Sequence, residues 1–292
     1  MDRRSFLKVS AGAAVAGGAA ARALAAEEAK KEDVVLKLCS QAGRIPGKTL
    51  RDKVLQLQDW GAAAIELGGG GNVKEVQEAL KGTTLKVSAC CWGSAGGALV
   101  SPDKEKREKG IEQIKNALKF GGEVESTGVI FVPCFNGQSH LKPEELDKVL
   151  ADILPAIGDY AVEQKCRVIL EPLNKGETFY INRLEQAAAI CNKLNNPGIC
   201  MMGDFYHMCK EEKDDDAAFV AGGKWVHHVH LASRARNLPG QDDRSFVAGF
   251  RGLKKIGYQD YCSLECGVKG KPEEEIPKSF RFLEAQWKEA TV

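Results

Sequence analysis
The chain has 292 residues, 43% hydrophobic and 28% charged, with 41 Lys and Arg against 40 Asp and Glu for a formal net charge of +1. That balance, without a long basic run, leaves no electrostatic footprint for nucleic acid or an anionic membrane and points to a small-molecule partner. The length suits one large domain or two modest ones.

Residues 1–25 differ in composition from the rest. Asp2-Arg3-Arg4-Ser5-Phe6-Leu7-Lys8 is a charged opening with paired arginines. A small, weakly apolar run follows over residues 10–21, and then Ala23-Leu24-Ala25, a small-x-small cleavage pattern. The segment resembles a twin-arginine signal peptide. Gly12, Gly17 and Gly18 interrupt the run, which is too short and too weakly apolar to span about 30 Å of hydrocarbon. The resemblance implies passage through the twin-arginine export machinery, a periplasmic or other extracytoplasmic location, and cleavage after Ala25. Removing 25 of 292 residues leaves 267 and takes away Asp2, Arg3, Arg4, Lys8 and Arg22, a net +3, so the mature chain would carry −2.

From there short apolar runs alternate with longer helical patterns, the signature of βα units around a parallel sheet. In chain order the expected strands are residues 34–39, 63–67, 85–92, 128–133, 167–171, 198–204, 225–231 and 260–265. Amphipathic helices are expected over 49–60, 73–81, 103–120, 143–163 and 184–194, with 272–288 closing the chain. Eight such units in residues 26–292 fit a single-domain (β/α)8 TIM barrel, typically about 250 residues. A doubly wound sheet is the alternative, but neither G-x-G-x-x-G nor G-x-x-x-x-G-K-[ST] occurs.

The ten cysteines would suggest disulfides in an exported protein. Cys39, Cys90, Cys91, Cys166, Cys200 and Cys262 instead lie in strand-like apolar runs, where cysteine acts as a small core hydrophobe. No pair has zinc-finger or CxxC spacing. Folding in the reducing cytoplasm before export, which the signal's resemblance implies, would keep these thiols reduced and suits a metal loaded before export.

Chemistry in such a barrel belongs at the C-terminal ends of the strands. The fifth, sixth, seventh and eighth strands finish at Glu171, Asp204, His230 and Glu265, each able to bind a metal. One acid at a strand end is most simply a cap or a solvated charge. Four together form a site rich in hard oxygen, which favours Mn2+, with Mg2+ or Co2+ as alternatives, over a thiolate-rich structural zinc site. Glu171-Pro172-Leu173-Asn174 is followed by Glu177, Asp204 by His207 three residues on, and His230 by Arg236 six residues on.

On these motifs the chain resembles the sugar phosphate isomerase/epimerase group with a xylose isomerase-like TIM barrel, especially its D-tagatose and D-psicose 3-epimerases, with hydroxypyruvate isomerases nearby. The likeness runs over nearly all of residues 26–292. The resemblance implies that Glu171, Asp204, His230 and Glu265 bind one divalent metal ion, and that Glu177, His207 and Arg236 hold a sugar or polyol. It also implies an assembly of two or four copies.

Epimerising a carbon next to a ketone requires removing a proton from carbon and stabilising an enediolate, for which a cation bridging two sugar oxygens is a natural electrophile. Two carboxylates on opposite faces, Glu171 and Glu265, suffice to take and return the proton. The expected activity is therefore ketose 3-epimerisation. The alternatives are a hydroxypyruvate or aldose-ketose 1,2-isomerase, an inosose or dehydroshikimate dehydratase, and a catalytically idle sugar-binding protein. An endonuclease on this fold would want more than five histidines and a basic face.

Strand alternation places His228 on the barrel-facing side with His230, as a hydrogen-bonded interior residue, and His227 on the opposite side. His140 is expected in a solvated loop, and Trp92 and Phe135 follow strands where they would either wall the pocket or pack. Glu66, ending the second strand, is set outside the core site. The charged runs over 104–109, 211–216 and 273–275 read as solvated helix faces and turns.

Overall fold
The computed structural model describes residues 34–292. The twin-arginine segment and its cleavage site lie outside the described residues. Strands β1 (Leu38–Gln41), β2 (Ala64–Gly68), β3 (Lys86–Gly93), β4 (Val129–Phe131), β5 (Val168–Leu170), β6 (Ile199–Asp204), β7 (Val226–Leu231) and β8 (Cys262–Leu264) pair in parallel, each with the next. Pairing of Leu38 with Cys262 and Cys39 with Ser263 joins β8 to β1 and closes the barrel expected from the sequence. Most strand residues are buried, as a parallel sheet covered by helices requires.

The surrounding helices are α1 (Leu50–Asp59), α2 (Val73–Leu80), α3 (Lys104–Glu123), α4 (Pro143–Glu163), α5 (Leu184–Leu194), α6 (Phe205–Glu211), α7 (Asp215–Gly222), α8 (Val247–Lys255) and α9 (Pro272–Glu289). Their starts are chemically marked. Thr49 and Asp52 form a capping box at α1, while Asn72, Asp103 and Asp214 accept N-terminal backbone N–H groups of α2, α3 and α7. Among the described residues no helix is long and apolar enough to cross a membrane.

Two differences from the sequence expectation bear on the site. The first strand is not 34–39 but Leu38–Gln41: the Lys37 carbonyl still accepts from Cys262 N–H of β8 at 2.9 Å, but Val35 is exposed. This shift brings Gln41 to the strand's C-terminal end. In addition, α6, α7 and α8 have no counterpart among the helices expected from periodicity. Part of the run 211–216 is not solvated: Asp215 accepts from Arg244 at 2.9 Å, and Asp216, almost fully buried, binds Lys255 at 2.7 Å and Arg251.

Phe205 joins these helices, with its ring 5.5, 4.9 and 5.9 Å from those of Phe219, Phe246 and Phe250. It is fully buried, and Gly249 leaves the space it occupies, because a Cβ there would collide with the ring. Phe205→Ala is expected to cost about 3–5 kcal/mol of stability. Chemical denaturation checks this; a loss below about 1 kcal/mol would mean that the cluster does not hold the segment.

The cysteines expected in the core are there: Cys39, Cys90, Cys166, Cys200 and Cys262 are buried, and Cys91 is half-buried. Burial pushes the thiols of Cys39 and Cys90 up to about 12, far from reactive thiolates.

Candidate active site
Parallel register determines which side chains share a level inside the barrel. Asp204 pairs with His230 and His230 with Ser263, so Asp204 and His230 face inward together. Glu171 and Glu265 each follow the last residue of their strand. Beneath them Ala89, Ile130, Ile169, Cys200 and Met202 form an apolar cluster that floors part of the site.

His230 Nδ1 lies at the centre, 3.4 Å from Glu171 Oε1, 3.2 Å from Glu265 Oε2 and 3.8 Å from Asp204 Oδ2. The four residues present ligand atoms all within 4.8 Å of one another. Asp204 Oδ2 and His230 Nδ1 are buried without a hydrogen-bond partner. Orphaned buried acceptors are costly, and a cation is the partner that three carboxylates and an imidazole lone pair share. The donor set therefore fits a hard divalent ion.

Burial pushes the Glu171 carboxyl up, against the pull of His230, and pushes Asp204 well up, with the negative charge of Glu265 adding to the effect. Burial also acts on Glu265, but the charge and hydrogen bond of His230 outweigh it and bring Glu265 down to about 2. Their surroundings thus pull the two glutamates in opposite directions, Glu171 toward its protonated form and Glu265 toward its ionised form, as an acid and a base need.

Local turns deliver the neighbouring groups. After β5 the chain doubles back: Gly176 N–H donates to Asn174 Oδ1 at 2.9 Å and Glu177 N–H to the Asn174 carbonyl at 2.8 Å. This turn folds Glu177 over the site, where Asn174 Nδ2 holds its Oε1 at 3.0 Å. In the D-x-x-H stretch, Asp204 caps α6 by accepting from Tyr206 N–H at 2.7 Å, and the first helical turn sets His207 Nε2 3.5 Å from Asp204 Oδ2.

The backbone and side-chain amides of Asn174 lie 3.2 and 2.7 Å from His207 Nδ1. Nδ1 is therefore the acceptor, and the proton sits on Nε2. Burial, helped by Arg236, takes His207 down to about 3, so it is a neutral donor.

Arg236 donates to Glu177 Oε1 at 3.1 Å and to Glu265 Oε2 at 2.8 Å, and its guanidinium lies 4.5 Å from the centre of the Tyr206 ring. Its backbone is left-handed at φ 56°, a strain of about 1–3 kcal/mol held by bonds to the Ser233 and Gly267 backbones.

All seven residues picked from the sequence thus converge. His228 is interior and hydrogen-bonded, whereas His227 faces the other way and pairs with Asp260 at 2.7 Å. His140 is exposed, and Trp92 packs against Phe131. Three more residues take part: Gln41, which was not considered, Glu66, which was set outside the core site, and Tyr206, also not considered. A polar residue at the end of β1 and a carboxylate within the apolar β2 were the available signals for the first two; Tyr206 has none beyond adjacency to His207.

Comparison with known proteins supports the fold and identifies the family. Residues 51–286 match the family model described as xylose isomerase-like TIM barrel. The chain is 29% identical over 248 residues to 3-dehydro-D-guloside 4-epimerase of Escherichia coli, covering 80% of this chain and 93% of that protein. It is 26% identical over 197 residues to L-ribulose 3-epimerase of a Methylomonas species, covering 66% and 68%. Among solved structures, 3-keto-D-glucoside 4-epimerase from E. coli in its apo form superposes with a TM-score of 0.78 at 26% identity, covering 86% of this chain and 100% of that one. The chain belongs to the xylose isomerase-like TIM barrel family.

Proposed function
We propose that the protein epimerises the carbon next to the ketone of a sugar, with C3 of a free ketose as the first reading, and that Glu171 and Glu265 transfer the proton. The relatives are named epimerases, and the chain is a sugar epimerase or isomerase of this family. The observation that carries the mechanism is the convergence of the two carboxylates on His230 Nδ1 from well-separated strands, with pKa values pushed apart.

A divalent cation, Mn2+ on the donor chemistry, held by Glu171, Asp204, His230 and Glu265 would supply fixed positive charge beside the sugar oxygens. The ionised glutamate takes the proton from carbon, and the protonated one delivers a proton to the opposite face, inverting the centre. Neutral His207 donates its Nε2–H to the oxygen on which charge develops, and the Arg236 guanidinium adds positive charge there. Glu177 steadies Arg236 and is placed to accept from a sugar hydroxyl.

A second reading, epimerisation at C4 of a glycoside carrying a ring ketone at C3, is favoured by the likeness to the E. coli 4-epimerase over 93% of that protein's length. The carboxylate chemistry is identical; only the seating of the sugar differs. Export in the folded state is part of the same proposal, supported by the twin-arginine pattern of residues 1–25. Retention in the cytoplasm of a fusion carrying Arg3→Lys and Arg4→Lys, against export of the parent, tests it.

Mn2+-loaded protein in deuterated water, offered free ketoses, 3-keto glycosides, aldoses, hydroxypyruvate and inososes, tests the activity. The expected outcome is deuterium at the carbon beside the ketone together with the epimer. Exchange accompanied by loss of water would instead identify a dehydratase, and no exchange with any keto sugar would overturn the proposal.

A further inference from the structure
We propose that Glu66 is a positioning residue that locks His230 as an Nδ1 ligand and ties it to Glu265; this rests on the metal-binding reading above. Glu66 lies in the middle of β2 and is 1% exposed, an unpromising place for a carboxylate unless its oxygens are fully engaged. They are engaged. Oε2 lies 2.8 Å from His228 Nε2 and 3.0 Å from His230 Nε2, and Oε1 accepts from Gln41 Nε2 at 2.9 Å. The same Gln41 Nε2 is 2.9 Å from Glu265 Oε1.

An ionised carboxylate only accepts hydrogen bonds, so both imidazoles must present Nε2–H to it. With its Nε2 occupied, a neutral His230 leaves only the Nδ1 lone pair, which points at Glu171, Asp204 and Glu265. Glu66, His228 and His230 also lie close enough to form a three-ligand cluster of their own. Because both Nε2 atoms donate to one oxygen, neither keeps a lone pair for an ion, and the cluster acts as support. Gln41 extends that support: it donates to Glu66 and Glu265 together, so two of the four ligand side chains are oriented from one buried carboxylate. Such outer partners of a ligating histidine typically carry a 10–100-fold share of metal affinity.

The test is Mn2+ affinity of the full chain, followed by the electron paramagnetic resonance signal of free Mn2+, for the parent, Glu66→Gln and Glu66→Ala. The amide of Glu66→Gln can still accept one bond but turns an NH2 toward an Nε2–H. We expect about 10–100-fold weaker binding, and at saturating Mn2+ a lower kcat with nearly unchanged KM, because Glu66 does not face the sugar. In parallel, nitrogen NMR of Mg2+-loaded parent protein should show His230 protonated on Nε2, a readout that no variant's folding can confound.

A proton on Nδ1 of His230 in the loaded protein, or a Glu66→Gln affinity within about threefold of the parent, overturns the inference. A parent chain that binds no Mn2+ overturns the metal reading with it. A parent that binds, beside a Glu66→Gln variant that binds equally well, overturns the role of Glu66 alone.

Discussion
Glu171→Gln and Glu265→Gln are each expected to lower turnover by about 100- to 10,000-fold, the contribution of a positioned acid or base. An amide keeps an oxygen for a cation but cannot take a proton from carbon, so some metal binding should survive while exchange of the carbon-bound hydrogen stops. The two variants should differ in a way the structure specifies. Glu265 also accepts from Arg236 at 2.8 Å and Gln41 at 2.9 Å, so its replacement should disturb sugar binding and raise KM. Among the described residues the Glu171 carboxylate forms an ion pair only with the His230 side chain, so its loss should fall on kcat. Wild-type deuterium exchange in either variant would show that the pair is not the acid and base.

The second large effect concerns the cation. Three carboxylates gathered around one imidazole repel each other, and a divalent ion that binds only the folded chain stabilises it by about 2.7 kcal/mol at 100 times its dissociation constant. For a domain of this size that corresponds to about 5–10 °C in Tm. The sign of the pH dependence follows from Glu171 and Asp204, both shifted upward by burial.

Without the ion, carboxyls with raised pKa favour the fold below their unfolded pKa of about 4 and withdraw that support as pH rises through the folded value. The ion must displace the proton on Asp204, which takes no part in the proton transfer, so its affinity falls about tenfold per pH unit as the pH drops. The gap in Tm between Mn2+-loaded and chelator-treated protein should therefore widen from acid to neutral pH. A gap that stays constant or narrows would contradict this account; scanning calorimetry at several pH values measures it.

Much of this site was legible before the chain was folded, because two of its motifs are local. Glu171 to Glu177 is a turn built by Asn174, and Asp204 to His207 is the first turn of a capped helix, so their geometry follows from backbone rules over a few residues. The eight apolar runs likewise announce a barrel because a parallel sheet buries both of its faces. The short helices α6, α7 and α8 were hidden for the opposite reason. Asp215 and Asp216 look solvated until Arg244, Arg251 and Lys255, far along the chain, neutralise them.

By itself, then, the sequence determined the barrel and the four candidate ligands at its strand ends, since alternation and strand ends are written in neighbouring residues. Only the tertiary structure decided how those ligands are supported. Gln41 and Glu265 stand 224 positions apart, Glu66 and His230 164 apart, and no local pattern couples them. They meet because β8 closes on β1 in a particular register, and burial then obliges each polar atom beneath the site to find a partner.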